Sequence, residues 1–174
     1  MPKTALLIVD AQNEMFDPAN PVHQSEQLLE NLQSLIKKAR SADVPVIYVQ
    51  HNDAGLVEGT DFWQIHSSVT PEERDTVVQK WTPDSFHETK LLEVLKNNGI
   101  QNLVIAGNQT EHCINATTRS ASQLGFDVTL AKDAHGTWDS ETMSAQEIID
   151  HHNGLLSEFV TLQETKDIEF LGRA

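Results

Sequence analysis

The chain has one cysteine, one tyrosine and fewer than half as many basic residues as acidic ones. A single cysteine cannot close an internal disulfide or supply a Cys-x-x-Cys metal pair, so the fold must be held by its core. The thiol is then either a small buried apolar group or a reactive sulfur kept in a reducing compartment. Twelve Lys and Arg against 26 Asp and Glu give a net charge of −14. Such a surface repels phosphate backbones and anionic lipid, so neither nucleic acid nor a membrane is an expected partner. No apolar run nears the roughly 20 residues of a bilayer-spanning helix. Met1-Pro2-Lys3 leads into a strand-like segment in place of a signal-peptide core, and a cytoplasmic protein is expected. G-x-G-x-x-G and Walker loops are absent, so nucleotide binding is not indicated. With no internal repeat, low-complexity tract or linker, residues 1–174 read as one domain large enough to bury a core.

What is present is an alternation of strand-length apolar runs and helical periods. Residues 4–9 read TALLIV and stop at Asp10; continuous apolarity suits a strand covered on both faces, as in a parallel sheet. Leu28, Leu32, Leu35, Ile36 and Ala39 then repeat at helical spacing. Val46-Ile47-Tyr48-Val49 is a second strand ending at His51 and Asp53, and the strand–helix–strand unit puts His51 near the same edge as Asp10. Residues 54–76 have no clean period and carry Phe62, Trp63 and His66, so they form either a pocket wall or a surface excursion. A brief extended piece, Val77-Val78-Gln79, runs into Lys80, and a helix through Leu91, Leu92 and Leu95 stops at Gly99. Residues 101–106 are another strand and 126–131 the next, followed by a polar and aromatic loop through His135 to Trp138. Ser144-x-x-Glu147 is a capping box opening a last helix, before a final strand over 159–162.

This pattern predicts a three-layer α/β/α fold around an open, mostly parallel, doubly wound sheet of Rossmann-like type. Ligands in such sheets bind outside the carboxyl ends of the strands, at the point where strand order reverses. If the reversal falls beside the first strand, Asp10 and Cys113 face each other there. Taken alone, Asp10 is equally an Asx turn closing its strand. Helical periodicity from Thr110 makes that residue the expected N-cap, which puts Cys113 near position N3 and the positive end of the helix dipole. A thiol so placed is expected to ionise more easily than usual. Two neighbouring anions oppose each other, however, and a cation is needed to hold both. Lys80 is the lysine that ends an extended piece near this edge, the others falling on helix faces or termini apart from Lys132; a lysine after a strand is otherwise ordinarily solvated.

Three segments carry a family resemblance: LLIVDAQN at the opening strand, KWTPDSF before a helix, and AGNQTEHCINATTRSASQLGFDVTLAKDA. They resemble, in the family's order and over nearly the whole chain, the isochorismatase-like cysteine hydrolases, which include nicotinamidases and carbamoylsarcosine amidohydrolases. The resemblance implies a triad with Cys113 as nucleophile, Asp10 as general acid/base and Lys80 as the cation orienting Asp10. It further implies a cis peptide between Asn108 and Gln109, and an oxyanion hole from the amides of Gln109 and Cys113. Cleavage of an amide-like C–N bond in a small molecule, through a thioester and with no cofactor, is the expected activity. The alternative is a catalytically silent binding or scaffold protein on the same fold.

Nicotinamidases hold a metal on an Asp-x-His pair; here the order is His51-x-Asp53, so no metal is expected. Gln12, Phe16, His51, Trp63, Trp81 and Trp138 are candidates to line a pocket for a partly planar substrate, each equally placed to be core or rim. His112 points away from its neighbour on a helix and is not assigned as a base. Relatives of this kind form dimers or tetramers, and Leu56, Val57, Phe62 and Trp63 are candidates for such an interface.

Overall fold

The computed structural model describes residues 3–170. Six strands, all parallel, form one sheet. They are β1 (Lys3–Val9), β2 (Val46–His51), β3 (Thr76–Lys80), β4 (Ile100–Asn108), β5 (Asp127–Gly136) and β6 (Thr161–Gln163). Their spatial order is β3-β2-β1-β4-β5-β6, so the chain winds outward from β1 in one direction and from β4 in the other. The reversal lies between the strands that end at Asp10 and lead to Cys113.

Strand alternation divides the core into two layers. Leu6 and Ile8 of β1 face helix α1 (Ser25–Ser41), whose Leu28, Leu32, Leu35, Ile36 and Ala39 form the stripe expected from the sequence. Ala5, Leu7 and Val9 face the opposite layer, built on α2 (Leu91–Asn97), α3 (Asn115–Gln123) and the end of α4 (Ala145–Leu156). Each fully buried aliphatic side chain contributes about 1.5–3 kcal/mol, so β1 and β4 form a rigid floor under the switch point. Gly99 follows α2 at φ +67°, where a glycine escapes the Cβ clash of left-handed backbone. At the start of α4 the capping box is complete: Ser144 Oγ accepts from the Glu147 N–H at 3.1 Å, and Glu147 Oε1 accepts from the Ser144 N–H at 3.3 Å.

Three elements differ from the sequence expectation. The polar stretch after residue 131 is strand as far as Gly136, because β5 re-pairs with β4 after a register shift, with Gly107 opposite His135 and Asn108 opposite Gly136. The final strand is shorter, starting at Thr161. Thr110 does not cap a helix; Thr110–Ile114 is a π-helical turn and the regular helix begins at Asn115. The aperiodic stretch after β2 is zipped to the backbone just past Asp10, through Asn13 N–H to Gln64 O at 2.8 Å and His66 N–H to Ala11 O at 2.9 Å. Among the described residues no helix is long and apolar enough to cross a membrane.

Candidate active site

Asp10 takes left-handed backbone at φ +49°, a region where aspartate is among the few side chains tolerated. Its N–H continues the ladder to Val49 O at 2.9 Å, while its side chain leaves the strand end and is 1% exposed. Lys80, the last residue of β3, is fully buried, against the ordinary expectation for a lysine closing a strand. An ammonium has three N–H donors, and here each has an acceptor. Lys80 Nζ donates to Asp10 Oδ2 at 3.2 Å, to Cys113 Sγ at 3.2 Å and to His51 Nδ1 at 2.7 Å. Since His51 Nδ1 faces an ammonium it must accept, leaving Nε2–H to donate to Asp53 Oδ2 at 3.0 Å. A directed chain thus runs from Asp53 through His51 and Lys80 to the carboxylate and the thiol. Asp10 Oδ1 is buried with no hydrogen-bond partner among the described residues.

Cys113 is 7% exposed, and burial and the Asp10 carboxylate push its thiol up to about 12, with Lys80 opposing them. The expectation of an easily ionised thiol is therefore corrected. A single ammonium faces both acidic groups, and burial sets the thiol against ionising. Near the same edge the Glu14 carboxyl is raised by burial, and further by the carboxylates of Asp53 and Asp10.

Two features of the sequence place the thiol. Gly107 has φ +126°, and a Cβ there would lie 1.9 Å from Val9 O and 2.7 Å from Val9 N. Only glycine lets β4 approach β1 this closely at the level of the site. The peptide between Asn108 and Gln109 is cis. Beyond it, the Gln109 carbonyl accepts from His112 and from Ile114, each at 3.1 Å, and the Cys113 N–H is not among its donors. The KWTPDSF segment clips this turn's helix to the end of β3. Ser85 N–H donates to Thr117 Oγ1 at 3.1 Å, and Ser120 Oγ donates to Asp84 Oδ2 at 2.6 Å.

The other candidates are dispersed. Gln12 is fully buried, its amide spent on the backbone: Nε2 donates to His51 O and Trp63 O, and Oε1 accepts from the His51 N–H. Phe16 packs edge-on against His66 within the core. Trp63 donates to Asn52 Oδ1 at 2.9 Å, Trp138 donates to Asn20 O at 2.8 Å, and Trp81 is 63% exposed directly after Lys80. Of the proposed interface residues, Val57 and Phe62 are exposed and Leu56 is buried. His152 is half-buried and its Nδ1 lies 3.0 Å from Ile148 O, a satisfied ring.

Asp10, His51 and Cys113 bring one donor atom each within 4.8 Å of one another, a spacing compatible with a metal. Lys80 Nζ sits among them and bonds all three, so an ammonium takes the place a cation would hold. Sequence reasoning passed over the partners of the turn itself. Thr110 Oγ1 is 2.8 Å from His135 Nδ1, and Thr137 Oγ1 donates to Glu111 while accepting from Gln109 Nε2. His135 lies in a stretch whose polarity reads as loop, so its burial beside the turn shows only once β5 pairs with β4.

An open parallel sheet with a thiol, a carboxylate and a buried lysine at its switch point defines an α/β protein with a polar site where strand order reverses. The isochorismatase domain matches residues 4–163, and the chain belongs to the isochorismatase family. It is similar to a secreted isochorismatase effector of Verticillium dahliae, 33% identical over 95% of this chain and 90% of the relative. Nicotinamidase 3 of Arabidopsis thaliana is 31% identical over 81% of this chain and 77% of its own length. The crystal structure of an isochorismatase family protein superposes with a TM-score of 0.88 at 30% identity, covering 92% of this chain and 98% of that one.

Proposed function

We propose that the protein is a cysteine-dependent hydrolase cleaving an amide-like C–N bond of a small molecule through a thioester on Cys113. The observation that carries the reading is the single ammonium of Lys80 bonded at once to the Asp10 carboxylate and the Cys113 sulfur, all three buried. The similarity to a nicotinamidase supports the bond type.

In this reading Asp10 takes the thiol proton as Sγ attacks the carbonyl carbon. A thiol raised by burial, with the Asp10 carboxylate among the causes, suits proton transfer during attack better than a preformed thiolate does. The developing oxyanion is held by the N–H groups of Gln109 and Cys113, donors of a kind typically worth about 3–4 kcal/mol each in the transition state. Collapse breaks the C–N bond, and the departing amine or ammonia takes the proton from Asp10. Water then gives a proton to Asp10 and attacks the thioester carbonyl. The C–S bond breaks, the sulfur recovers its proton from Asp10, and the acid leaves. Lys80 keeps Asp10 aimed, and His51 with Asp53 keeps Lys80 in place.

The test is release of ammonia or amine from a panel of amides, ureides and N-carbamoyl compounds by the wild type and by Cys113→Ala. Release by the wild type alone supports the reading. Binding of panel members without turnover by either protein overturns it in favour of a silent binding protein.

A further inference from the structure

The turn that carries Cys113 is pinned from outside the triad by a directed line of hydrogen bonds, and the line passes through a buried histidine. Asn153, on α4, donates from Nδ2 to Lys132 O at 3.1 Å, which fixes the orientation of its amide. Its Oδ1 is then an acceptor, and it lies 2.8 Å from His135 Nε2, so that nitrogen carries the proton. His135 Nδ1 is left as an acceptor and meets Thr110 Oγ1 at 2.8 Å, so the hydroxyl donates to the ring. His135 is 4% exposed and Thr110 fully buried. An apolar pair of this size would fill the same space at no polar cost, whereas a half-satisfied buried imidazole is expensive. The polar line therefore fixes an orientation that packing alone leaves free.

Thr110 is the first residue of the π-turn, directly after Gln109 and three before Cys113. A hydroxyl held there sets the direction in which the chain leaves β4, and with it the two backbone N–H groups assigned to the oxyanion. The residue just past β5 holds the turn a second time, since Thr137 Oγ1 donates to Glu111 Oε1 at 2.7 Å. His135 and Thr137 reach the turn because β5 re-pairs with β4 beyond its register shift, as far as Gly136.

We propose that His135 is a positioning residue for Cys113, acting through Thr110 and held in a single tautomer by Asn153. The inference rests on Cys113 as nucleophile, and it is read by two measurements that need no substrate. In histidine side-chain 15N spectra of the wild type, His135 is expected with its proton on Nε2 and a hydrogen-bonded, unprotonated Nδ1. A proton on Nδ1 overturns the proposal, whatever the activity.

The second measurement is the rate of Cys113 alkylation by iodoacetamide at fixed pH, with thermal melting as the control for folding. Thr110→Val keeps the shape and removes the donor; it should alkylate about tenfold more slowly, and Thr110→Ser should restore the rate to within about twofold, as for a displaced reacting group. Folded Thr110→Val with wild-type alkylation overturns the proposal. If that variant melts early, Asn153→Ala takes its place on a half-buried side chain, with the same slowing expected and an unchanged rate counting against. Where a substrate from the amide panel is turned over, Thr110→Val should lower kcat with KM within about twofold. An inactive wild type with a slowed Thr110→Val thiol would reject the hydrolase reading and keep this one.

Discussion

Replacing Lys80 by Met removes the charge at the centre of the site while keeping an unbranched stem of similar reach. The ammonium and Asp10 Oδ2 are 3.2 Å apart and 0% and 1% exposed, so solvent screens neither. At an effective dielectric constant of about 20, opposite unit charges at that separation attract by about 5 kcal/mol. Measured losses on breaking one side of a buried pair are about 3–5 kcal/mol, since the remaining charge is left without compensation. His51 Nδ1 also loses its donor. We therefore expect Lys80→Met to lose roughly 3–5 kcal/mol at pH 7, against a total of about 5–15 kcal/mol for a domain of ordinary stability. The assay is urea unfolding followed by tryptophan fluorescence, with Asp10→Asn and the double variant completing a cycle. The double variant should be more stable than Lys80→Met, because the stranded carboxylate is gone. A Lys80→Met protein within about 1 kcal/mol of the wild type would refute the reasoning. So would a double variant no more stable than that single one.

Gly107→Ala should cost several kcal/mol or prevent folding, because its Cβ would meet the Val9 backbone at 1.9 Å; a melting temperature within about 2 °C of the wild type would contradict the close approach of β1 and β4. Alkylation of Cys113 should speed up about tenfold per pH unit from pH 7 to 10 without a plateau, as for a thiol raised to about 12, and a plateau near neutrality would show a preformed thiolate. Burial lowers the His135 imidazole from its ordinary 6.5 to about 4, so the folded state binds fewer protons than the unfolded one between those values. Stability linked to this ring is complete above pH 6.5 and falls by roughly 3 kcal/mol on going down to pH 4, at about 1.36 kcal/mol per unit. Urea unfolding of the wild type and His135→Gln across that range should show the acid-dependent loss reduced in the variant.

Much of the fold was legible because it rests on residue type and period. TALLIV ending in Asp10, the stripe of α1 and the Ser144–Glu147 box each declare their element locally, and their alternation fixes the layers. The meeting of Asp10 and Cys113 was anticipated from strand ends and one assumption about strand order, and the triad with Lys80 was implied by the family resemblance. Three things did not follow. β5 was cut short because Lys132 to Gly136 is polar, and only its pairing with β4 makes that stretch strand. The turn at Thr110 was expected to be a cap because threonine is a good one. Its hydroxyl instead serves His135, a partner distant in sequence. The thiol was expected to ionise easily from its place near a helix start, a local argument that burial and Asp10 outweigh once the chain is folded. Gln12 was placed equally as pocket, core or rim, and nothing local shows the bonds of its amide to the backbone of His51 and Trp63.

A thioester mechanism requires that Cys113 become covalently acylated. The most direct measurement is intact-protein and peptide mass spectrometry of the enzyme quenched in acid during turnover of any amide that the panel shows to be hydrolysed. A mass increase equal to the acyl portion of the substrate is expected on the peptide containing Cys113, absent from Cys113→Ala and diminished in Asp10→Asn. Hydrolysis that persists in Cys113→Ala, with no adduct on the wild type, would contradict it.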